Sequence, residues 1–149
     1  MIVGIPKEVK DNEYRVAATP EGVRELVDAG HTVLIEEGAG VGSSLSEDRY
    51  KRAGAQFVST AEDVWRGADM IIKVKEPLPS EFGLMQEGQI LFTYLHLAAN
   101  RELTEELVRR KVEAVAYETV QLADGRLPLL APMSEIAGRM APHVAARYL

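Results

Sequence analysis

Short apolar runs alternate with helix-start signals along most of this chain, and that alternation restricts its fold more than any other feature. Residues 2–5, 32–35, 56–58, 70–77, 90–96 and 114–117 read as strands. Helices are expected to open at Thr19-Pro20-Glu21, Ser46-Glu47-Asp48, Thr60-Ala61-Glu62-Asp63, Asn100 and Ser134-Glu135, where a capping residue is followed by proline, an acid or helical spacing of apolar residues. Strands that alternate with helices call for a mostly parallel sheet flanked by helices, an α/β fold of Rossmann-like or flavodoxin-like type. In such sheets the ligand crevice lies beyond the carboxyl ends of the strands.

The run Met70-Ile71-Ile72-Lys73-Val74-Lys75-Glu76-Pro77 is the most telling of the strands. Side chains alternate along a strand, so Lys73 and Lys75 would share a face, and Lys75 stands nearer the carboxyl end. Two readings stay open: solvated lysines blunting an edge strand, or an anion-binding group at the ligand crevice. Arg15, at the end of the charged run after the first strand, is either a surface charge or the planar fork that grips a carboxylate. His96 ends the strand at 90–96, and histidine is the side chain best suited to exchange a proton near neutral pH. Parallel strands would bring Arg15, Lys75 and His96 to one edge of the sheet, a site for a small anion with acid/base chemistry. Glu118 also ends a strand, though a structural acid is the ordinary reading there.

Gly38-Ala39-Gly40-Val41-Gly42-Ser43 resembles a dinucleotide fingerprint but fails it, because position 43 is Ser and the next helix starts only near Ser46. It reads as a mobile glycine loop. Ala123-Asp124-Gly125 reads as a tight turn in a small hairpin. The absence of cysteine excludes disulfides and thiolate sites, and the three histidines are too scattered to suggest a metal site. A net charge of −6 argues against a grip on nucleic acid or an anionic membrane surface, which leaves small molecules as the expected ligands. The polar start of the chain does not fit a signal peptide, and a cytoplasmic protein is expected.

Several stretches resemble the amino-terminal part of the alanine dehydrogenase family: residues 2–8 (Ile-Val-Gly-Ile-Pro-Lys-Glu), 13–20 (Glu-Tyr-Arg-Val-Ala-Ala-Thr-Pro), 73–77 (Lys-Val-Lys-Glu-Pro), 95–100 (Leu-His-Leu-Ala-Ala-Asn) and 131–138 (Ala-Pro-Met-Ser-Glu-Ile-Ala-Gly). The resemblance implies that Arg15 and Lys75 bind the substrate's carboxylate and carbonyl side. It also implies that His96 is the acid/base group and that Ser134 touches the cofactor, NAD. The nucleotide-binding subunit of proton-translocating transhydrogenase is the related alternative. That subunit lacks the second lysine and the strand-end histidine, both present here.

The resemblance further implies a substrate-binding domain over residues 1–133, with 134–149 beginning an interdomain helix. The expected Gly-x-Gly-x-x-Gly of a dinucleotide-binding domain is missing, and the last helix stops at Leu149 in mid-pattern. The chain is therefore expected to be the front of a longer, homo-oligomeric enzyme and inactive alone. Its final apolar stripe, Ile136, Met140, Val144 and Tyr148, should pack back on the sheet, pair with a second copy, or fray beyond Pro142.

Overall fold

A computed structural model describes residues 1–149. Its elements in chain order are β1 (Ile2–Ile5), α1 (Pro20–Asp28), β2 (Thr32–Glu36), α2 (Glu47–Arg52), β3 (Gln56–Val58) and α3 (Ala61–Gly67). There follow β4 (Met70–Ile72), the single turn α4 (Pro79–Phe82), β5 (Ile90–Thr93), α5 (Arg101–Arg110), β6 (Glu113–Ala116) and α6 (Ala131–Tyr148). All six strands are parallel, in the order β3-β2-β1-β4-β5-β6. From β1 the chain first builds outward one way and then, from β4, the other. The β1–β4 junction is thus the point where strand order reverses, the place at which open α/β sheets bind ligands.

Alternation of side chains divides the core between the two faces of the sheet. Ile71 and Leu91 pack with Val64 and Trp65 of α3 and with Leu103 and Leu107 of α5. Val3, Ile5 and Ile72 belong to the opposite cluster, with Val23 of α1 and Tyr50 of α2. Gly4 permits the close seating of α3, because a Cβ there would lie 2.8 Å from both Ala68 and Val64. Three of the helix starts work as their residues suggest, whereas Ser46 begins α2 without a side-chain bond to it. Thr19 accepts from the Gly22 N–H, Thr60 from Asp63 and Asn100 from Leu103, each side chain satisfying an N–H that the helix cannot.

Several expectations need correction. The edge-strand reading of the two lysines fails, because β4 is central and Lys73 has no exposed surface. The β4 ladder ends with the Lys73 N–H donating to the Phe92 carbonyl, well short of Pro77. The glycine loop is packed rather than loose: a Cβ on Gly42 would stand 2.6 Å from the Tyr14 carbonyl oxygen, and one on Gly40 2.7 Å from that of Leu45. Around Asp124-Gly125 there is a tight turn closed by Leu122 and Arg126 but no hairpin strands. The last helix opens at Ala131, three residues before Ser134, and runs unbroken past Pro142 to Tyr148. Its stripe of Ile136, Met140, Val144 and Tyr148 is exposed rather than packed back on the sheet, and only Met133 at its start reaches Arg15. No helix is long and apolar enough to cross a membrane.

Candidate functional site

Arg15 follows β1, Lys75 follows β4 and His96 follows β5, so the first two stand on loops flanking the switch point and the third on the loop after the next strand, not at the strand end that the sequence suggested. Each side chain has a distinct local support. Arg15 is gripped along one edge by Glu13, with Nε donating to Oε1 at 2.8 Å and Nη2 to Oε2 at 2.6 Å. Its Nη1 lies 3.3 Å from the Met133 sulfur. Glu13 is nearly enclosed while the Arg15 side chain is 46% exposed, so the fork is braced from below and open above. The hydrogen bonds from Arg15 hold the Glu13 carboxyl below its ordinary range. The packed glycine loop adds a backrest, since Ser43 Oγ donates to the Tyr14 carbonyl at 3.0 Å beside the close approach of Gly42.

Lys75 is partly buried, and its ammonium forms no ion pair, unlike that of Lys73 two residues earlier. Lys73 Nζ lies 2.7 Å from Glu81 and 3.5 Å from Glu8 inside the fold. Two carboxylates on one ammonium leave a buried negative charge, which polar partners must hold. Glu8 finds them in the N–H groups of Val74 and Lys75. Burial still pushes the Glu8 carboxyl above its usual value, against the pull of Lys73 and those N–H groups.

His96 has a left-handed backbone, φ 50° and ψ 40°. For a residue with a Cβ this costs about 1–2 kcal/mol. Glu118 offsets that cost by accepting the His96 N–H at 2.6 Å and the Leu95 N–H at 3.1 Å. The imidazole is half exposed, stacks on the Tyr94 ring with centroids 6.1 Å apart, and has Nδ1 3.9 Å from Glu118. Tyr117 meets the rings of Phe92 and Tyr94 edge-on, and burial raises its hydroxyl well above its usual pKa, so it stays protonated.

A cavity of about 830 Å³ opens over the part of the sheet that α1 and α2 leave bare. Its lining includes Arg15, Val74, Phe92, Tyr94, Tyr117 and Met133. It adjoins a hollow lined by Glu8, Glu13, Arg15 and the glycine loop. The fork of Arg15 and an apolar wall suit a small carboxylate with a short apolar side chain, while Lys75 and His96 line neither hollow. Ser134 is more remote in role. The early start of α6 places it within the first turn, where its N–H already bonds to the Leu130 carbonyl and its hydroxyl makes only a 3.4 Å contact to the same oxygen. Its hydroxyl is available to a ligand, but its amide is not.

Glu8 and Glu13 escaped the sequence reading because they lie in a charged run that looks like any solvated loop. Their burial depends on β4 and on Arg15, which local patterning does not reveal. Tyr94 was legible only as an apolar strand residue.

Comparison with known proteins agrees with this architecture. The family described as "Alanine dehydrogenase/PNT, N-terminal domain" matches residues 4–137. The alanine dehydrogenase of Methanococcus maripaludis is 60% identical over the whole chain, and that of Mycobacterium tuberculosis 58%. The chain spans about 40% of the length of each. A solved L-alanine dehydrogenase superposes over the whole chain and 41% of its own, with TM-score 0.95 and 56% identity. A transhydrogenase from Sinorhizobium meliloti is more distant, with TM-score 0.75 and 33% identity over 79% of this chain and 34% of that one. With the family match over residues 4–137 and 60% identity, over this chain's whole length, to the Methanococcus maripaludis alanine dehydrogenase, the chain belongs to the alanine dehydrogenase/PNT N-terminal domain family.

Proposed function

We propose that the chain forms the substrate-binding part of an NAD-dependent alanine dehydrogenase, which interconverts L-alanine with pyruvate and ammonia. The observation that carries this reading is the placement of Arg15 and Lys75 on the two loops that flank the switch point, with His96 on the loop after the neighbouring strand. The edge of Arg15 not held by Glu13 grips the substrate carboxylate in a bidentate manner. The Lys75 ammonium, which forms no ion pair and feels the Glu13 and Glu76 carboxylates only at longer range, polarises the carbonyl oxygen of pyruvate. His96 moves the proton as the imine forms and is hydrolysed, and its half-exposed ring leaves it able to exchange that proton with water. The apolar lining from Val74, Phe92 and Met133 suits the substrate's methyl group.

A nicotinamide, when bound, supplies the hydride acceptor for alanine oxidation. The residues here fit it modestly: Ser134 offers one hydroxyl to a cofactor phosphate, while its amide is already engaged in the helix. A cytoplasmic homo-oligomer completes the reading. The exposed Ile136, Met140 and Val144 of α6 support self-association, and a monomer at all concentrations in sedimentation velocity would remove that part.

The test is a chimera in which this chain replaces the matching stretch of the Methanococcus maripaludis alanine dehydrogenase. It should form NADH from L-alanine, and His96→Ala should lower kcat by ~10²–10⁴-fold, the usual loss for a general acid/base. A change below about fivefold takes His96 out of the chemistry. A folded chimera with no alanine-dependent NADH formation sinks the proposed activity.

A further inference from the structure

The three side chains assigned to substrate share a support that their own chemistry does not require. In each case a carboxylate accepts the main-chain N–H of the substrate-facing residue. Glu13 Oε1 takes the Arg15 N–H at 3.0 Å. Glu8 takes the Lys75 N–H at 3.3 Å and that of Val74 at 2.6 Å. Glu118 takes the His96 N–H at 2.6 Å and that of Leu95 at 3.1 Å. We infer that Glu8, Glu13 and Glu118 are positioning residues that seat Lys75, Arg15 and His96 by their backbones, leaving the Lys75 ammonium, the edge of the Arg15 fork that Glu13 does not hold and the His96 imidazole for the ligand. The inference rests on the proposed substrate roles of those three residues.

The physical need arises where the strands stop. Past the last ladder bond the N–H groups lose their strand partners, and buried N–H groups must find others. A carbonyl from the same loop would suffice for stability. A carboxylate does more: it can take two N–H groups together, as Glu8 does with one on each oxygen and Glu118 with both on Oε1, and its charge makes the bonds stronger. Two of the three also join neighbouring strands. Glu8 comes from the loop after β1 and holds the chain leaving β4, while Glu118 comes from beyond β6 and holds the chain leaving β5. Lys73 and Glu81 make the buried Glu8 charge tolerable. His96 depends on its seat most, since its left-handed backbone is held at the 2.6 Å bond to Glu118.

The experiment uses the same chimera with Glu8→Gln, Glu13→Gln and Glu118→Gln, each nearly isosteric. An amide removes the charge and keeps one acceptor oxygen, so its NH₂ would face the second N–H at Glu8 and the Arg15 guanidinium at Glu13, while at Glu118 the shared oxygen loses its charge. Glu13→Gln and Glu8→Gln should raise the KM for pyruvate by about tenfold or more with kcat little changed, the scale of one charge-assisted hydrogen bond. Glu118→Gln should instead lower kcat by about tenfold or more with KM little changed, since it seats the proton-transfer residue. Merely structural carboxylates would behave alike, lowering the melting temperature and the active fraction without this split, and that pattern overturns the inference. So does wild-type KM and kcat in all three variants. If the buried Glu8→Gln fails to fold, the opposed KM and kcat effects of the other two variants decide. Arg15→Ala and Lys75→Ala separate the two levels. Should they leave the pyruvate KM unchanged, the substrate roles fall. Should they raise it while the Gln variants do nothing, only the seating falls.

Discussion

Lys73 shows how one residue can be conspicuous in the sequence and still be misplaced. Two lysines near the end of an apolar strand suggested either solvent for both or a ligand for Lys75. In the fold they part: Lys75 is partly exposed and forms no ion pair, while Lys73 turns inward to Glu8 and Glu81, residues that no local pattern connects with it. Removing one member of such a buried cluster strands the others, at a cost of roughly 3–5 kcal/mol. Lys73→Met should therefore destabilise the chain strongly, and the loss should be smaller at pH 5 than at pH 8 in urea titrations. The sign follows from Glu8, whose carboxyl is already raised by burial and would rise further without the ammonium. A raised carboxyl favours the fold below its unfolded value, and that contribution is lost as the pH climbs through the folded one. Equal losses at both pH values would show that Glu8 does not titrate in the variant. Gly42 is the other residue whose part only the structure discloses. A methyl group there would press on the Tyr14 carbonyl, so Gly42→Ala in the chimera should displace Arg15 and raise the pyruvate KM while leaving the His96-dependent kcat nearly intact.

Among the elements, those defined by local chemistry were legible and those defined by partners were not. Helix starts at Thr19, Thr60 and Asn100 follow from side chains that cap their own helix, so the sequence suffices. The end of β4 depends on where β5 stops donating and accepting, and the start of α6 on turns formed from Leu127 and Leu130, so both were misread by several residues. Burial separates α5 from α6 in the same way. Both carry apolar stripes, but Leu103 is fully buried whereas Met140 is 55% exposed. Leu103→Ala should cost about 2–5 kcal/mol by urea denaturation. Met140→Ala should stay within about 0.5 kcal/mol. A comparable loss from Met140→Ala would mean that α6 is covered in solution.

For the molecule as a whole, the alternation of strands and helices was enough to anticipate a parallel sheet with its site at the carboxyl edge. It could not supply the strand order, because each apolar run is equally able to lie beside any other. That order has a further consequence. Arg15 belongs to the half built outward from β1 to β3, and Lys75 and His96 to the half from β4 to β6. Between the halves the sheet is continuous only through a short ladder, Val3 with Met70 and Gly4 with Ile71, extended by the Asp69 N–H on the Ile2 carbonyl. A carboxylate held by Arg15 and Lys75 together is thus a bolt across the seam, and opening the seam would cost the ligand as well as the ladder. Amide hydrogen exchange should slow at this seam when the chimera is saturated with pyruvate, by more than at the outer β2–β3 pairing, which the ligand does not bridge. Uniform slowing across all six strands would mean that binding stabilises the sheet without spanning its midline.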